Sequence, residues 1–163
     1  MKNRIFLSIG SNIGNLKENI DQAVEKIKEL ASVEVVKVSK YYKSTPVEFL
    51  HQNDFVNCAV LIKTGINIHK LHAKLQKIEV ELGKDKQIEN GPRSIDIDII
   101  FCEDLVISTS DLQVPHQKMH ERKFVLIPFM ELDKNFKHPQ LNLTVKELLA
   151  KLKDNHLQKV KEL

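Results

Sequence analysis

A strict alternation of apolar and acidic residues constrains the fold of this chain more than any other feature. Ile95, Ile97 and Ile99 alternate with Asp96 and Asp98. Because successive side chains of a β-strand point to opposite faces, the segment predicts a strand with one isoleucine face and one acidic face. Such a strand fits a sheet that buries one face in a core and leaves part of the other accessible.

The two carboxylates also suggest binding of a divalent metal ion. Asp96 and Asp98 lie about 6–7 Å apart along the predicted strand, and two uncompensated anions at that spacing repel each other. A divalent cation would relieve the repulsion, and Mg²⁺ is usually held by one or two carboxylates together with substrate phosphates. Arg93, after a Gly-Pro turn, adds a fork-shaped donor that matches phosphate oxygens. For an isolated Asp-x-Asp pair, a solvated acidic strand is the commoner explanation, so the rest of the chain must decide.

Composition places the chain among ordinary globular proteins. Its 163 residues predict one domain, 1–163, and the hydrophobic and charged contents of 42% and 29% are typical of folded proteins. The net charge of +3 favours small anionic ligands slightly and is too low to indicate a nucleic-acid binder. Cys58 and Cys102 are interpreted as buried hydrophobes in a reducing compartment. No segment matches a secretory signal or a membrane span, so we expect a cytoplasmic protein that does not contact membranes.

Hydrophobic periodicity predicts a βαββαβ order, in segments 4–9, 16–31, 33–42, 55–64, 67–83 and 95–101. This is an α+β, ferredoxin-like (split βαβ) arrangement, in which an antiparallel sheet carries both helices on one face. The polar stretches 43–54 and 84–94 exceed the usual connection length, and we expect them to be mobile loops over the other, ligand-binding face. Helical segments are predicted near 124–132 and 144–152, and the Lys/Glu-rich end, 153–163, is predicted to be a fraying helix.

Two further groups of residues are candidates for binding. Phe55 and Asn57 share one strand face, so a ring and an amide would both address a flat heterocycle, although a core Phe and a structural Asn are the commoner explanation for an isolated pair. Lys84, Lys86 and a second basic patch around His116 would suit anions. Taken singly, these basic residues fit a helix C-terminus and an ordinary surface turn.

Together the motifs resemble one family, the 6-hydroxymethyl-7,8-dihydropterin pyrophosphokinases of folate biosynthesis. The resemblance covers nearly the whole chain and rests on the following segments: 10–15, 42–46, 54–57, 79–83, 91–98 and 114–122. The run Gly-Pro-Arg-x-x-Asp-x-Asp is its most specific part, followed by Val-Pro-His some 15–20 residues later. The family has the ferredoxin-like fold that the order of elements predicts independently.

The resemblance implies that the β- and γ-phosphates of ATP, the co-substrate, pass as one unit to the hydroxymethyl group of the pterin, leaving AMP. Asp96 and Asp98 would hold two Mg²⁺ ions, and Lys84 and Arg93 would act on the phosphates. The implied nucleotide contacts are Gln76, Glu79, Lys84, Lys86, Arg93, the Ile99 backbone, His116 and Arg122. The pterin would stack between Phe55 and Phe124 and be read by Asn57 and by the backbone of Thr45, Pro46 and Val47.

The sequence departs from the family pattern at several positions. Phe55 stands where members carry Tyr, which keeps the stacking ring and loses a hydroxyl. Lys84 and Lys86 stand where arginines are common, which keeps the charge and loses the bidentate fork. The loop 84–94 is one residue shorter than in the members compared, so the details of loop closure and of the adenine and ribose contacts are the least secure part of the resemblance.

Rival interpretations belong to other classes. An RNA-binding module has the same βαββαβ order, but the third strand lacks the Lys/Arg-Gly-Phe/Tyr-Gly/Ala-Phe pattern of exposed aromatics. A catalytically inactive ligand-binding domain would not require an intact Asp96, Asp98 and Arg93. The pairs His69/His72 and His116/His120 have helix-compatible metal spacing, without evident cysteine or carboxylate support. We expect small-molecule partners, no nucleic acid and a monomer, with association with the next folate-pathway enzyme left open.

Overall fold

The computed structural model describes residues 2–44, 54–83, 94–152 and 159–163. Its strands are β1 (Asn3–Ser11), β2 (Val33–Val38), β3 (Tyr42–Ser44), β4 (Phe55–Thr64), β5 (Asp96–Cys102), β6 (Ile107–Ser108), β7 (Gln113–Val114) and β8 (Val160–Glu162). Its helices are α1 (Leu16–Lys28), α2 (Ile68–Glu81), α3 (Lys123–Asp133) and α4 (Val145–Lys151), with a single 3-10 turn at Met119–Glu121. Within this described part of the chain, no helix is both long enough and apolar enough to cross a membrane.

The main sheet is antiparallel at every strand pair. Its order is β5-β1-β4-β3-β8, and β2 pairs with β4 beside β3. The four strands that periodicity predicted therefore lie in the order fourth, first, third, second. This order confirms the predicted α+β class, and it places β5, the acidic strand, at one edge of the sheet.

The two helices between these strands begin where the sequence predicts, and α2 also ends there, whereas α1 ends at Lys28, three residues before the predicted end at 31. Asn15 caps α1 by accepting the Glu18 N–H at 3.1 Å, and Asn67 caps α2 by accepting the His69 N–H at 2.9 Å. Gly83 follows α2 with φ +88°, a left-handed conformation that a residue without Cβ adopts at no steric cost. Both helices bury an apolar stripe against the sheet.

The first face of the sheet forms the larger core. The odd-numbered residues of β1 (Ile5, Leu7, Ile9) and the even-numbered residues of β4 (Val56, Cys58, Val60, Ile62) pack against α1 and α2. This alternation confirms the prediction that each strand presents one face to this core. Burial raises the pKa of Cys102 to about 11 and raises that of Cys58 further, so neither thiol ionises near neutral pH.

The second face is divided into two halves, and here one prediction was wrong. Helices were expected on one face only, but α3 and α4 cover half of the second face. Phe6 and Phe101 lie edge to face with ring centroids 5.8 Å apart, and Phe129 of α3 packs on both. Both helices were predicted, near 124–132 and 144–152, but their place on the second face was missed because 123–133 is apolar on almost all sides and gives no stripe that points to a sheet face.

Two shorter segments also differ from the prediction. The expected strand 33–42 is interrupted at Ser39, whose Oγ accepts the Ala59 N–H at 2.8 Å in place of a regular backbone partner. The expected C-terminal helix is wrong for Val160–Glu162, which pairs with β3 and is tied to it by a Lys40–Glu162 ion pair of 3.1 Å. Residues 153–158 lie outside the described part, as do most of the two long segments 43–54 and 84–94.

Candidate active site

The uncovered half of the second sheet face, called the polar half below, carries the predicted site residues of the central strands. Asn57, Gly10 and Asp96 are in register on β4, β1 and β5, and Ser8 faces Asp98 in the next row. Since neighbouring strands lie about 4.8 Å apart, the backbones of Asn57 and Asp96 are separated by roughly 10 Å. The amide and the two carboxylates therefore lie on one sheet face, where the carboxylates are partly exposed and the amide is buried.

The acidic strand alternates as expected. Ile95, Ile97 and Ile99 are at most 4% exposed, whereas Asp96 and Asp98 are partly exposed on the opposite side. In the described ranges no third His, Cys, Asp or Glu joins them in a metal-binding group. Two carboxylates with room for water and phosphate oxygens form the donor set that suits Mg²⁺, which seldom occupies an all-protein cage. The residues present thus fit magnesium held jointly by protein and substrate.

Asn57 is held in one place by its neighbours on both sides. Its Oδ1 accepts a hydrogen bond from the Ser44 hydroxyl at 3.1 Å, and both side chains are buried. On the other side, a Cβ added to Gly10 would lie only 2.5 Å from Asn57 Nδ2. Gly10 is therefore required by the close approach of the amide, and Ser44 is a supporting residue that the sequence analysis missed.

At the contact between α2 and β5, a buried carboxylate of α2 lies behind β5. Glu79 is 3% exposed, and its Oε2 accepts the Ile97 N–H at 2.8 Å. Gln76 lies one turn earlier on α2 and is exposed. Ile99 lies two residues beyond Ile97 on the same edge strand, so its backbone groups face the same open edge.

A bulge in β5 fixes the histidine of the second basic patch. The β1–β5 register shifts at Ile100, and the Ile100 carbonyl accepts the His116 N–H at 3.1 Å. His116 Nδ1 accepts the Lys118 N–H at 3.2 Å, which places the ring proton of the neutral form on Nε2. An imidazole with its proton on Nε2 is of the chemical type that donates to a phosphate oxygen.

The two predicted stacking rings lie on different elements. Phe55 begins β4 on the face of Asn57 and is partly exposed. Phe124 lies in the first turn of α3, half-buried at the margin of the second core, and the Arg122 guanidinium carbon lies 5.5 Å from its ring centroid. This distance is typical of a cation–π contact, which holds the guanidinium beside the ring. Stacking of a pterin between the two rings stays a prediction.

Strand β3, which precedes the predicted pterin-reading backbone, is fastened to α3. Glu131 accepts the Tyr42 hydroxyl and, at 3.1 Å, the Lys40 N–H. Burial, and secondarily this hydrogen bond, raises the pKa of the Tyr42 phenol, so the tyrosine is a neutral donor. Three predicted residues beyond β3 (Thr45, Pro46, Val47) and three basic residues (Lys84, Lys86, Arg93) lie outside the described residues.

The structure gives little support to zinc binding by the two histidine pairs. Asp111 does approach one of them, with its Oδ2 3.8 Å from His69 Nδ1, and this carboxylate was not anticipated. Its pKa is lowered mainly by the hydrogen bond from Thr109 and only secondarily by the charges of the histidines. Over the described residues, neither pair forms a three-ligand metal group.

Comparison with known proteins agrees with this geometry. A family model described as 7,8-dihydro-6-hydroxymethylpterin-pyrophosphokinase (HPPK) matches residues 6–134. A 2-amino-4-hydroxy-6-hydroxymethyldihydropteridine pyrophosphokinase of Bacillus subtilis is 42% identical over 132 residues, which cover 81% of this chain and 79% of that protein. Folic acid synthesis protein FOL1 of Dictyostelium discoideum is 36% identical over 150 residues, 92% of this chain.

The fold has solved counterparts. Wild-type HPPK-DHPS of Plasmodium falciparum, crystallised with pterin and p-hydroxybenzoate, matches with a TM-score of 0.73 at 17% identity. The match covers 96% of this chain and 43% of that chain. The present chain also spans only 22% of FOL1, so it corresponds to one part of these longer proteins.

Proposed function

Because the chain belongs to the 7,8-dihydro-6-hydroxymethylpterin-pyrophosphokinase family, we propose that it transfers pyrophosphate from ATP to 6-hydroxymethyl-7,8-dihydropterin in folate biosynthesis. One observation carries the proposal: Asn57 and the carboxylates of Asp96 and Asp98 occupy adjacent rows of the same sheet face. An amide suits the donor–acceptor edge of a pterin, and paired carboxylates suit a metal-bound polyphosphate. The two substrates would thus meet on the polar half.

The proposed reaction is a single displacement at the β-phosphorus of ATP. The pterin hydroxymethyl oxygen forms a bond to the β-phosphorus, the bond from that phosphorus to the oxygen of the α-phosphate breaks, and the hydroxyl proton is released. AMP leaves with the bridging oxygen, and the pterin carries the diphosphate. Such transition states need positioning and charge stabilisation more than covalent catalysis. Fixed hydrogen-bond donors and metal-binding carboxylates provide both.

Asp96 and Asp98 are proposed to hold two Mg²⁺ ions together with the substrate phosphates. When bound, the ions would supply positive charge that neutralises the negative charge of the polyphosphate. The strand fixes the spacing of the two carboxylates, so they would orient the β-phosphate toward the row of Asn57 and Gly10.

Two sets of cationic residues, one before and one after β5 in the sequence, are proposed as phosphate contacts. We propose that Lys84, Lys86 and Arg93 form the first set, and that His116 and Arg122 form the second. The Nε2 proton of His116 and the guanidinium held beside Phe124 support the second set. Gln76, Glu79 and the Ile99 backbone are proposed as further nucleotide contacts along the open edge of β5.

Pterin binding is assigned to the β3–β4 side of the polar half. Asn57 would read the polar edge of the heterocycle with the Thr45-Pro46-Val47 backbone, and Phe55 and Phe124 would contact its faces. The Ser44 hydroxyl supports this role because it fixes the amide in place before the ligand arrives.

A partner is proposed from the relatives. The solved HPPK-DHPS chain extends well beyond the 43% that matches here. We propose that this protein is a monomer by itself and that it associates with the enzyme that consumes its diphosphate product. In HPPK-DHPS the two parts belong to one chain. This supports such an association because linkage raises the effective concentration of the two units.

The division of the site into two halves is testable by titration. Asn57→Ala should weaken binding of 6-hydroxymethyl-7,8-dihydropterin by about tenfold to a hundredfold, because buried recognition hydrogen bonds are worth about 1.5–3 kcal/mol. The same variant should bind a non-hydrolysable ATP analogue with Mg²⁺ as the wild type does. The matched variant Asp98→Asn should show the reverse pattern. Equal losses of both ligands in Asn57→Ala would contradict this division.

A further inference from the structure

The strand that carries the two carboxylates has a backbone ladder on one side only. Strand β5 ends the sheet and pairs with β1, and the paired segment begins at Asp96 opposite Gly10. An edge strand frays readily unless other groups hold it, because half of its backbone groups lack a ladder partner. A metal site, however, needs ligands fixed within a fraction of an ångström.

On the β1 side, a buried serine holds the chain just before β5, beyond the last paired residues of the two strands. The hydroxyl of Ser11, which is fully buried, donates to the carbonyl of Ser94, two residues before Asp96. Ser11 is itself oriented by Asn19 of α1, whose Nδ2 donates to Ser11 Oγ at 3.0 Å and to the Ile13 carbonyl at 2.7 Å. The approach to the acidic strand is thereby tied to the first helix.

From the α2 side, the same residue makes a second bond. The hydroxyl of Ser94 donates at 3.0 Å to the carbonyl of Leu82, the residue that caps the C-terminus of α2. A helix C-terminus leaves its last carbonyls without intrahelical partners, so this bond satisfies one of them. One turn further back, Glu79 accepts the Ile97 N–H, which lies between the two carboxylates.

We propose that Ser94 is a positioning residue for Asp96 and Asp98, acting with Ser11 through this hydrogen-bond relay between β1 and α2. The inference rests on the proposed function. Ser94 touches neither substrate in this account. Its carbonyl and hydroxyl fix the start of the edge strand from two sides, and so set where the carboxylates stand relative to the polar half.

The test compares Ser94→Ala with a control at the other end of the sheet. Thr64 is equally suited because its buried hydroxyl donates to the Ser32 carbonyl at 2.8 Å and accepts the Ile66 N–H at 3.0 Å. Thr64→Val removes a hydroxyl that makes two hydrogen bonds, one more than the described residues show for the Ser94 hydroxyl, and it does so far from the carboxylates. Ser94→Thr keeps the hydroxyl and serves as the rescue variant.

Two readouts are used on each variant: kcat for pterin-dependent AMP formation, and Mn²⁺ affinity by electron paramagnetic resonance with a non-hydrolysable ATP analogue. Ser94→Ala should lower kcat by about tenfold to a hundredfold, since an error of about 1 Å in ligand placement costs that much, and should weaken Mn²⁺ binding. Thr64→Val should lower the melting temperature similarly and leave both readouts at wild-type values. Ser94→Thr should restore both.

Two contrary outcomes distinguish a failure of the positioning role of Ser94 from a failure of the proposed function. If Ser94→Ala matches Thr64→Val in both readouts, the hydroxyl only stabilises the fold and the positioning role is overturned. If the wild type forms no AMP, the proposed function fails, and the Mn²⁺ titration alone decides whether Ser94 positions the carboxylates.

Discussion

The close approach of Asn57 to Gly10 makes a quantitative prediction about Gly10→Ala. The added Cβ would lie 2.5 Å from Asn57 Nδ2, about 1 Å inside an ordinary contact, and its next contact outside this amide is the Val56 carbonyl at a normal 3.9 Å. Overpacking of this kind costs about 1–3 kcal/mol. Displacement of the amide would also break the bond from Ser44, worth about 1 kcal/mol, while replacing glycine in a strand returns about 0.5–1 kcal/mol.

The expected net loss in the free energy of unfolding is therefore about 1–3 kcal/mol, measured by urea unfolding. Pterin affinity, measured by calorimetry, should fall by about tenfold or more because the amide is displaced. The nucleotide site should be less affected, since the three atoms nearest the added Cβ belong to Asn57 and Val56 and none belongs to Asp96.

A double-mutant cycle tests whether the collision between the added Cβ and the Asn57 amide causes these losses of stability and pterin affinity. In an Asn57→Ala background the colliding atom is gone, so adding Gly10→Ala should cost no stability and should return the roughly 0.5–1 kcal/mol expected for replacing a strand glycine. The two substitutions should thus be strongly coupled. A full cost of Gly10→Ala that persists in the Asn57→Ala background would refute the reasoning, as would a wild-type pterin affinity in Gly10→Ala alone.

Three further predictions concern charge and burial. Asp96→Ala and Asp98→Ala should each abolish AMP formation while the protein stays folded, because both side chains are partly exposed and neither belongs to the apolar core. Burial, and secondarily His120, lowers the pKa of His138 below its usual 6.5. Below pH 6.5 the unfolded chain therefore binds a proton that the native state does not, and stability should fall by up to about 1.4 kcal/mol per pH unit; His138→Asn should remove that slope. Finally, Cys58 and Cys102 should react with a thiol reagent only on unfolding, and rapid labelling of the native protein would contradict their burial.

The strands and helices of the core could be predicted because their signals are local. The alternation in 55–62 and 95–101 reports which side of each strand is buried, and Asn67 and Gly83 mark the ends of α2 by the hydrogen bonds and backbone angles that a helix requires. In the same way, the acidic face of β5 follows directly from the two-residue period.

The features that were missed depend on contacts between distant parts of the chain. Strand β8 has three residues, and its partner β3 lies more than a hundred positions earlier, so no local pattern specifies the pairing. The bond from Ser11 to Ser94 joins residues 83 positions apart. Serine is common in turns, and nothing in its immediate sequence shows which carbonyl its hydroxyl will reach.

The most direct test of the account is the nucleotide product formed with ATP, Mg²⁺ and 6-hydroxymethyl-7,8-dihydropterin. The account predicts AMP, formed only when the pterin is present and in equal amount to the pterin diphosphate. Formation of ADP would contradict it, because the γ-phosphate alone would then be transferred. Binding of both substrates without turnover would equally contradict it and would indicate a ligand-binding domain on the same fold.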